Sequence, residues 1–263
     1  MFDVDESVQG TYAWYQNGSL FANGDTVDLS TYAISPTDII TCEVSVNDSN
    51  GGSATDSDSV GIGNRTPTVT VVAIDIISPE ANDTITCNAT ATDDDGEVPT
   101  LSYVWTNGAT VLGNTSSITL TPTSAGVGDL IVCTATATDS YGATAGSNTL
   151  ATVVNTDPTI SATTISPSIS VTVNDLLTCT ATGSDLNDGT LNATYSWASS
   201  GGSTATGSTW QLDTTVTNVG DTITCTSEVT DANGGIATSS SNVVVQNTAP
   251  VSSGVSIIPN SGV

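Results

Sequence analysis

A chain of 263 residues with 27 acidic side chains, one basic side chain and no histidine, for a formal net charge of −26, offers almost nothing to a phosphate backbone or an anionic bilayer, since Lys and Arg hold both. Without histidine there is no Ser-His-Asp or Cys-His arrangement and no His-containing zinc site. No apolar run approaches the length needed to span a bilayer, yet 37 % hydrophobic residues are enough for small cores and place the chain outside the disordered class.

In chain order, Met1-Phe-Asp-Val-Asp-Glu6 has neither the basic nor the apolar region of a signal peptide. Tyr12-Ala-Trp14 follows, then Asp38-Ile-Ile-Thr-Cys42 and the turn-like Asp48-Ser-Asn-Gly51. Asn64-Arg-Thr-Pro67 closes this first block, with a proline that ends a ladder and stiffens a junction. Next come Asp83-Thr-Ile-Thr-Cys87, the acidic Asp93-Asp-Asp-Gly-Glu97, Tyr103-Val-Trp105, Asp129-Leu-Ile-Val-Cys133 and Asp139-Ser-Tyr-Gly142. After Asn155-Thr-Asp-Pro158 the order recurs as Asp175 to Cys179, Asp185 to Gly189, Tyr195-Ser-Trp197, Asp221 to Cys225 and Asp231-Ala-Asn-Gly234, and Asn247-Thr-Ala-Pro250 opens a further copy. The two full copies keep Cys87 to Cys133 and Cys179 to Cys225 both 46 apart, with the tryptophan 18 after the first cysteine. From tryptophan to the following cysteine is 28 residues in all three copies, including Trp14 to Cys42.

The cysteine segments alternate with period two, the mark of a half-buried strand. Ile85, Cys87, Ala89 and Ala91 point one way, as do Ile131, Cys133, Ala135 and Ala137; Leu177, Cys179 and Ala181; Ile223, Cys225, Ser227 and Val229; and Ile40, Cys42, Val44 and Val46. Further inward positions are Tyr103 and Trp105, then Ile118 and Leu120, matched by Trp210 and Leu212 and by Val27 and Leu29. Trp14, Trp105, Trp197 and Trp210 are therefore predicted as core, Trp210 standing where another repeat has isoleucine.

Two cysteines framing one tryptophan in a strand-rich repeat of about 90 residues resembles the immunoglobulin-like β-sandwich. The resemblance is closer to tandem Ig-like, PKD-like and cadherin-like repeats of large microbial surface or filament proteins than to vertebrate immunoglobulins, because Ile40, Ile131 and Ile223 stand where antibody-type domains carry the tyrosine of the corner. The resemblance implies an all-β linear array: an incomplete domain over 1–64 whose first strands are missing, full domains over 65–156 and 157–248, and the first strand of another over 249–263. It implies disulfides Cys87–Cys133 and Cys179–Cys225, and leaves Cys42 as an unpaired or intermolecular cysteine. Paired cysteines imply an oxidising compartment, so the chain is expected to be a piece of something longer that is secreted, extracellular or on a cell surface.

The Asp-x-x-Gly segments after each F strand suit type I hairpin turns. Asp93, Asp94, Asp95 and Glu97 crowd hard oxygen donors into a short loop, which makes calcium the one cofactor to consider, although the alternate-residue spacing of an EF-hand is missing. Asp185 to Asp188 offers the same with fewer carboxylates. Asn17, Asn47, Asn64, Asn82, Asn88, Asn114 and Asn192 head Asn-x-Ser/Thr sequons, acceptors for glycans if the chain is secreted. Paired carboxylates without a shaped cleft do not make a glycosidase. The expected role is non-enzymatic: a stalk or filament-forming subunit whose partners are further copies or neighbouring Ig-like repeats, joined by strand addition from 248–263 into an incomplete first domain. The alternative is an adhesin that binds glycans or protein through sandwich loops; Ser199 to Gly207 is the one expanded polar segment, and it has no aromatic residue.

Overall fold

The structure, a computed structural model, describes residues 7–256 and is built from antiparallel strands, with a single 3-10 turn at Leu29–Thr31 among the described residues. Thr, Val and Ile dominate the strands, as their branching at Cβ favours the pleat. The chain divides into two compact units, one formed by the chain up to Ile77 with Thr84–Ile118 and Leu130–Ala151, the other by Ser78–Asp83, Thr119–Asp129 and the chain from Thr152 onward.

In the first unit, β1 (Thr11–Gln16), β2 (Ser19–Asn23), β3 (Ile39–Asn47) and β4 (Ser53–Gly61) form one sheet in the order β2-β1-β3-β4. Then come β5 (Thr68–Ile74), β6 (Thr84–Thr92), β7 (Thr100–Asn107), β8 (Thr110–Gly113), β9 (Ser117–Thr119), β10 (Leu130–Thr138) and β11 (Thr144–Thr152). They make two sheets, β5-β6-β9 and β11-β10-β7-β8. The Cys87–Cys133 disulfide ties β6 of one to β10 of the other, giving the two-layer sandwich. Along β10 the alternation is complete, with Ile131, Cys133, Ala135 and Ala137 fully buried.

The first repeat behaves differently because, among the described residues, its sheet has no second layer joined to it by a disulfide. Cys42, Val44 and Val46 are only half-buried, and every residue of β4 is exposed. Trp14, expected as core, is likewise half-buried. Ile40 alone among the inward residues of β3 is closed off, at 2 % exposure.

The second unit contains β12 (Thr159–Ile160), β13 (Thr164–Ser166), β14 (Leu176–Thr180), β15 (Gly183–Asp185), β16 (Gly189–Leu191), β17 (Thr194–Ser199), β18 (Thr204–Thr206), β19 (Thr209–Gln211), β20 (Thr222–Thr230) and β21 (Ile236–Val244). The sheets are β13-β14-β19, β18-β17-β20-β21 and a small third one, β12-β15-β16. Cys179–Cys225 joins β14 to β20 over a core that includes Leu177, Trp197, Trp210, Leu212 and Ile223. Trp210 lies 6.1 Å from Trp197 between ring centres and is buried, so here a second aromatic ring fills the core position.

The alternation of apolar residues does not signal the third sheet. The strand that runs unbroken through Thr84–Thr92 in the second repeat is split here into β14 and β15. Tyr195 Oη accepts the Ala181 N–H at 3.1 Å, occupying the backbone between the two pieces, and Gly183 is packed so close to Val229 that a Cβ would stand 2.5 Å from its Cγ1. At the chain's far end, residues 249–256 form no strand, and the rest of the segment expected to open another repeat, 257–263, lies outside the described residues.

Candidate functional site

The aspartate of each Asp-x-hydrophobic-x-Cys segment is a turn lock. Asp38, Asp83, Asp129, Asp175 and Asp221 each accept, through Oδ2, the backbone N–H three residues earlier, at 2.6 to 2.9 Å. An aspartate at this place satisfies an otherwise orphaned donor at the entrance of a strand. The tryptophans are fixed in the same repetitive way: Trp14, Trp105 and Trp197 donate their indole N–H to the carbonyls of Gly24, Thr115 and Gly207, each ten residues on, at 2.8 to 2.9 Å. Cys42 has no disulfide partner.

In each of the two full repeats a further set of acidic groups meets at the hairpin turn that follows the second cysteine strand. In the second repeat, Asp139 opens the β10–β11 hairpin, and its Oδ1 accepts the N–H groups of Tyr141 and Ala143 at 2.9 and 2.8 Å while Gly142 takes φ +90°. The positive φ closes this type I turn and explains the glycine. Asp139 Oδ2 accepts the side-chain amide of Asn64 at 2.9 Å. That amide and the N–H groups of Ala143, Tyr141 and Gly142 hold the Asp139 carboxyl below the usual aspartate range, against the opposing pull of burial. Glu97 reaches across to the same turn, accepting from Ser140 N–H and Oγ at 3.1 and 2.7 Å.

Carboxylate oxygens of Asp93, Glu97 and Asp139 thus lie within 4.8 Å of one another. Of the four residues expected to hold calcium, two are in this set and two are not. Asp95 is taken by Arg65, whose backbone N–H donates at 2.7 Å and whose Nε lies 3.2 Å away. Asp94 is exposed and stands 3.9 Å from the same guanidinium. Asp139, which completes the group, lies 42 residues beyond Glu97 in the chain, and hairpin geometry rather than sequence proximity brings it in.

The third repeat builds the same pole from different residues. Asp231 Oδ1 accepts from Asn233 and Gly235 N–H at 2.8 Å each, and its Oδ2 accepts the side-chain amide of Asn155, also at 2.8 Å. The Asn155 amide first, then the turn N–H groups, keep the Asp231 carboxyl below its ordinary value while burial opposes them. Asp188 accepts from Ala232 N–H at 3.0 Å, as Glu97 does from Ser140. Thr156 N–H donates to Asn187 Oδ1 at 3.1 Å, as Arg65 N–H does to Asp95. Asn155, Thr156, Asp185, Asp188 and Asp231 therefore correspond to Asn64, Arg65, Asp93, Glu97 and Asp139. The one basic residue of the chain is in the first set only.

The sequons fall on both free and engaged amides. Asn88, on β6, and Asn47, Asn114 and Asn192 are exposed. Asn64 and Asn17 are exposed too, but their side-chain amides are spent on Asp139 and Asp38 at 2.9 and 2.6 Å. Asn82 is exposed with φ +67°.

No protein-family model matches the chain, and no curated protein matches it. Among solved structures it is similar to a tetra-tandem repeat in the extending region of a large adhesion protein, at 17 % identity and TM-score 0.37, covering 93 % of this chain and 69 % of that one. It is similar also to a structure of a 1.5-MDa bacterial ice-binding adhesin, at 16 % identity and TM-score 0.35, covering 91 % and 86 %. A third similar structure is Drosophila OTK extracellular domains 3–5, at 12 % identity and TM-score 0.33, covering 94 % and 89 %.

Proposed function

We propose that the chain is a non-enzymatic extracellular spacer, a run of Ig-like beads in a surface stalk or filament. The observation that carries this reading is the use to which the repeated residues are put. In the two full repeats the cysteines and tryptophans are buried in the sandwich, and in all three the signature aspartates lock the turns that enter the cysteine strands. Two disulfides of this kind fit folding in an oxidising compartment, each contributing about 2–5 kcal/mol.

The first repeat favours a specific mode of joining. In β4, Asp56 pairs with Val44 at the place where, in the third repeat, Ser239 pairs with Ser227 and its Oγ accepts the N–H of Thr163 at 3.0 Å. A strand added over the half-buried face of Trp14, Cys42 and Val44 would meet in Asp56 a ready acceptor for its backbone, the physics of β-strand addition.

Electron microscopy of the native source tests the spacer: beaded filaments or stalks of uniform width are expected, and compact isolated particles contradict it. Sedimentation of the purified chain separates the two ideas. Strand addition predicts concentration-dependent association, whereas a monodisperse monomer with a cooperatively folded first repeat removes it and leaves the spacer intact.

A further inference from the structure

We propose that the outer face of the sheet β11-β10-β7-β8, in the second repeat, is a docking surface for the same face of a second copy of this chain. Copies that each carry −26 repel one another, so they can meet closely only where the strands bear no carboxylate. Among the described residues three sheets have no charged residue in any strand: β5-β6-β9, β13-β14-β19 and β11-β10-β7-β8. The first two expose one large aliphatic side chain each, Val71 and Leu176. The third exposes Val104, Val111, Leu130 and Leu150, at 42, 64, 51 and 52 %. The equivalent sheets of the other two repeats carry Glu43 on β3 and Glu228 on β20.

Strand register gathers these side chains into one patch. Val132 lies between the buried Ile131 and Cys133 and therefore points outward. It stands opposite Thr106 on β7, and Thr106 stands opposite Val111 on β8. The β10–β11 ladder is fixed at both ends, by the Asp139 N–H on the Ala143 carbonyl at 3.1 Å and the Val153 N–H on the Asp129 carbonyl at 3.0 Å, which brings Leu150 opposite Val132. One row thus runs Leu150, Val132, Thr106, Val111 across all four strands. Leu130 and Val104 flank it at the diagonal positions, within reach of the same row.

Area and symmetry favour a second copy as the occupant. The four strands hold 9, 9, 8 and 4 residues, which at a rise of about 3.4 Å and a strand spacing of about 4.8 Å makes a face of about 500 Å². Two such faces packed together bury about 1,000 Å², the lower limit of a specific interface. A two-fold axis sets the aliphatic row of one copy against that of the other, as an isologous contact requires, at the usual sheet-to-sheet distance of about 10 Å. The long-range repulsion between copies is screened to about 3 Å at 1 M salt, while the aliphatic contact is not, so pairing strengthens as ionic strength rises.

The contact stands independently of the spacer reading, and its failure would leave that reading untouched; within a stalk it would hold neighbours side by side. Sedimentation equilibrium of the full chain in 1 M sodium chloride tests it, with Cys42→Ser present throughout so that no disulfide-linked dimer enters the measurement. The chain is compared with Leu150→Asp, Val111→Asp and Val60→Asp. Val60 pairs with Ile40 in the first repeat, on the face where strand addition is proposed. A reversible dimer that tightens with salt is expected. Leu150→Asp and Val111→Asp should each weaken it at least about tenfold, and Val60→Asp should leave it unchanged. Three results overturn the proposal: a monomer at every salt and protein concentration; a dimer that survives either Leu150→Asp or Val111→Asp; or loss of the dimer in Val60→Asp, which assigns the association to strand addition. Near-ultraviolet circular dichroism of Trp105 monitors folding, and if one of the two face variants unfolds, the other decides between retention and loss of the dimer.

Discussion

Asp139 and Asp231 show how much a single carboxylate does in this protein. Each takes two turn N–H groups on one oxygen and an asparagine amide on the other. Their ionised forms are thereby favoured in the folded chain, so their folded values lie below the unfolded aspartate value of about 3.9. The contribution is fully present above that value and is lost as pH falls through the lower folded one. Asn64→Ala removes the donor that does most to hold Asp139 ionised. A carboxyl-detected NMR titration should then show Asp139 titrating at higher pH than in the native chain while Asp231 is unchanged; equal titration of Asp139 in both proteins contradicts the assignment of the shift to Asn64. Protonation also relieves the self-repulsion of a chain carrying −26, and for that reason the individual titration is a cleaner readout than melting.

Among the elements, the strands carrying the cysteines are legible in the sequence because alternation and cysteine spacing agree. Ile131, Cys133, Ala135 and Ala137 are buried to the last residue, and the same alternation places Ile223, Cys225, Ser227 and Val229 inside. What is not legible depends on contacts far apart in the chain. The split between β14 and β15 follows from Gly183 under Val229 and from Tyr195 at Ala181, neither of which changes the local pattern of apolar residues. Trp14 has the sequence neighbours of Trp105 and is still half-buried, because burial depends on a second layer that local pattern does not reveal. The acidic poles are half legible: Asp93 and Glu97 can be read as a dense segment, but Asn64, Asn155, Asp139 and Asp231 arrive through loops and hairpins. Gly183→Ala should destabilise the third repeat by about 1–3 kcal/mol through overpacking. Gly146→Ala is the control, since its added Cβ meets nothing nearer than 3.7 Å and should change stability by less than about 0.5 kcal/mol. Equal effects of the two in denaturant melts would contradict this origin of the split strand.

For the whole molecule, one set of devices recurs: an indole held by a carbonyl and an aspartate locking a strand entrance in all three repeats, and, in the two full copies, a stapled pair of sheets and an acidic pole beside the proline-marked segment. Such units suit the spacer proposed above. The net charge of −26 adds mutual repulsion that keeps neighbouring chains apart and solvated. Small-angle X-ray scattering of the purified chain at moderate salt tests the spacer most directly, because a compact globule of this length would have a radius of gyration of about 18 Å. A string of beads predicts a value well above that, with a rod-like cross-section region in the scattering curve, and a value near that of the globule would contradict it.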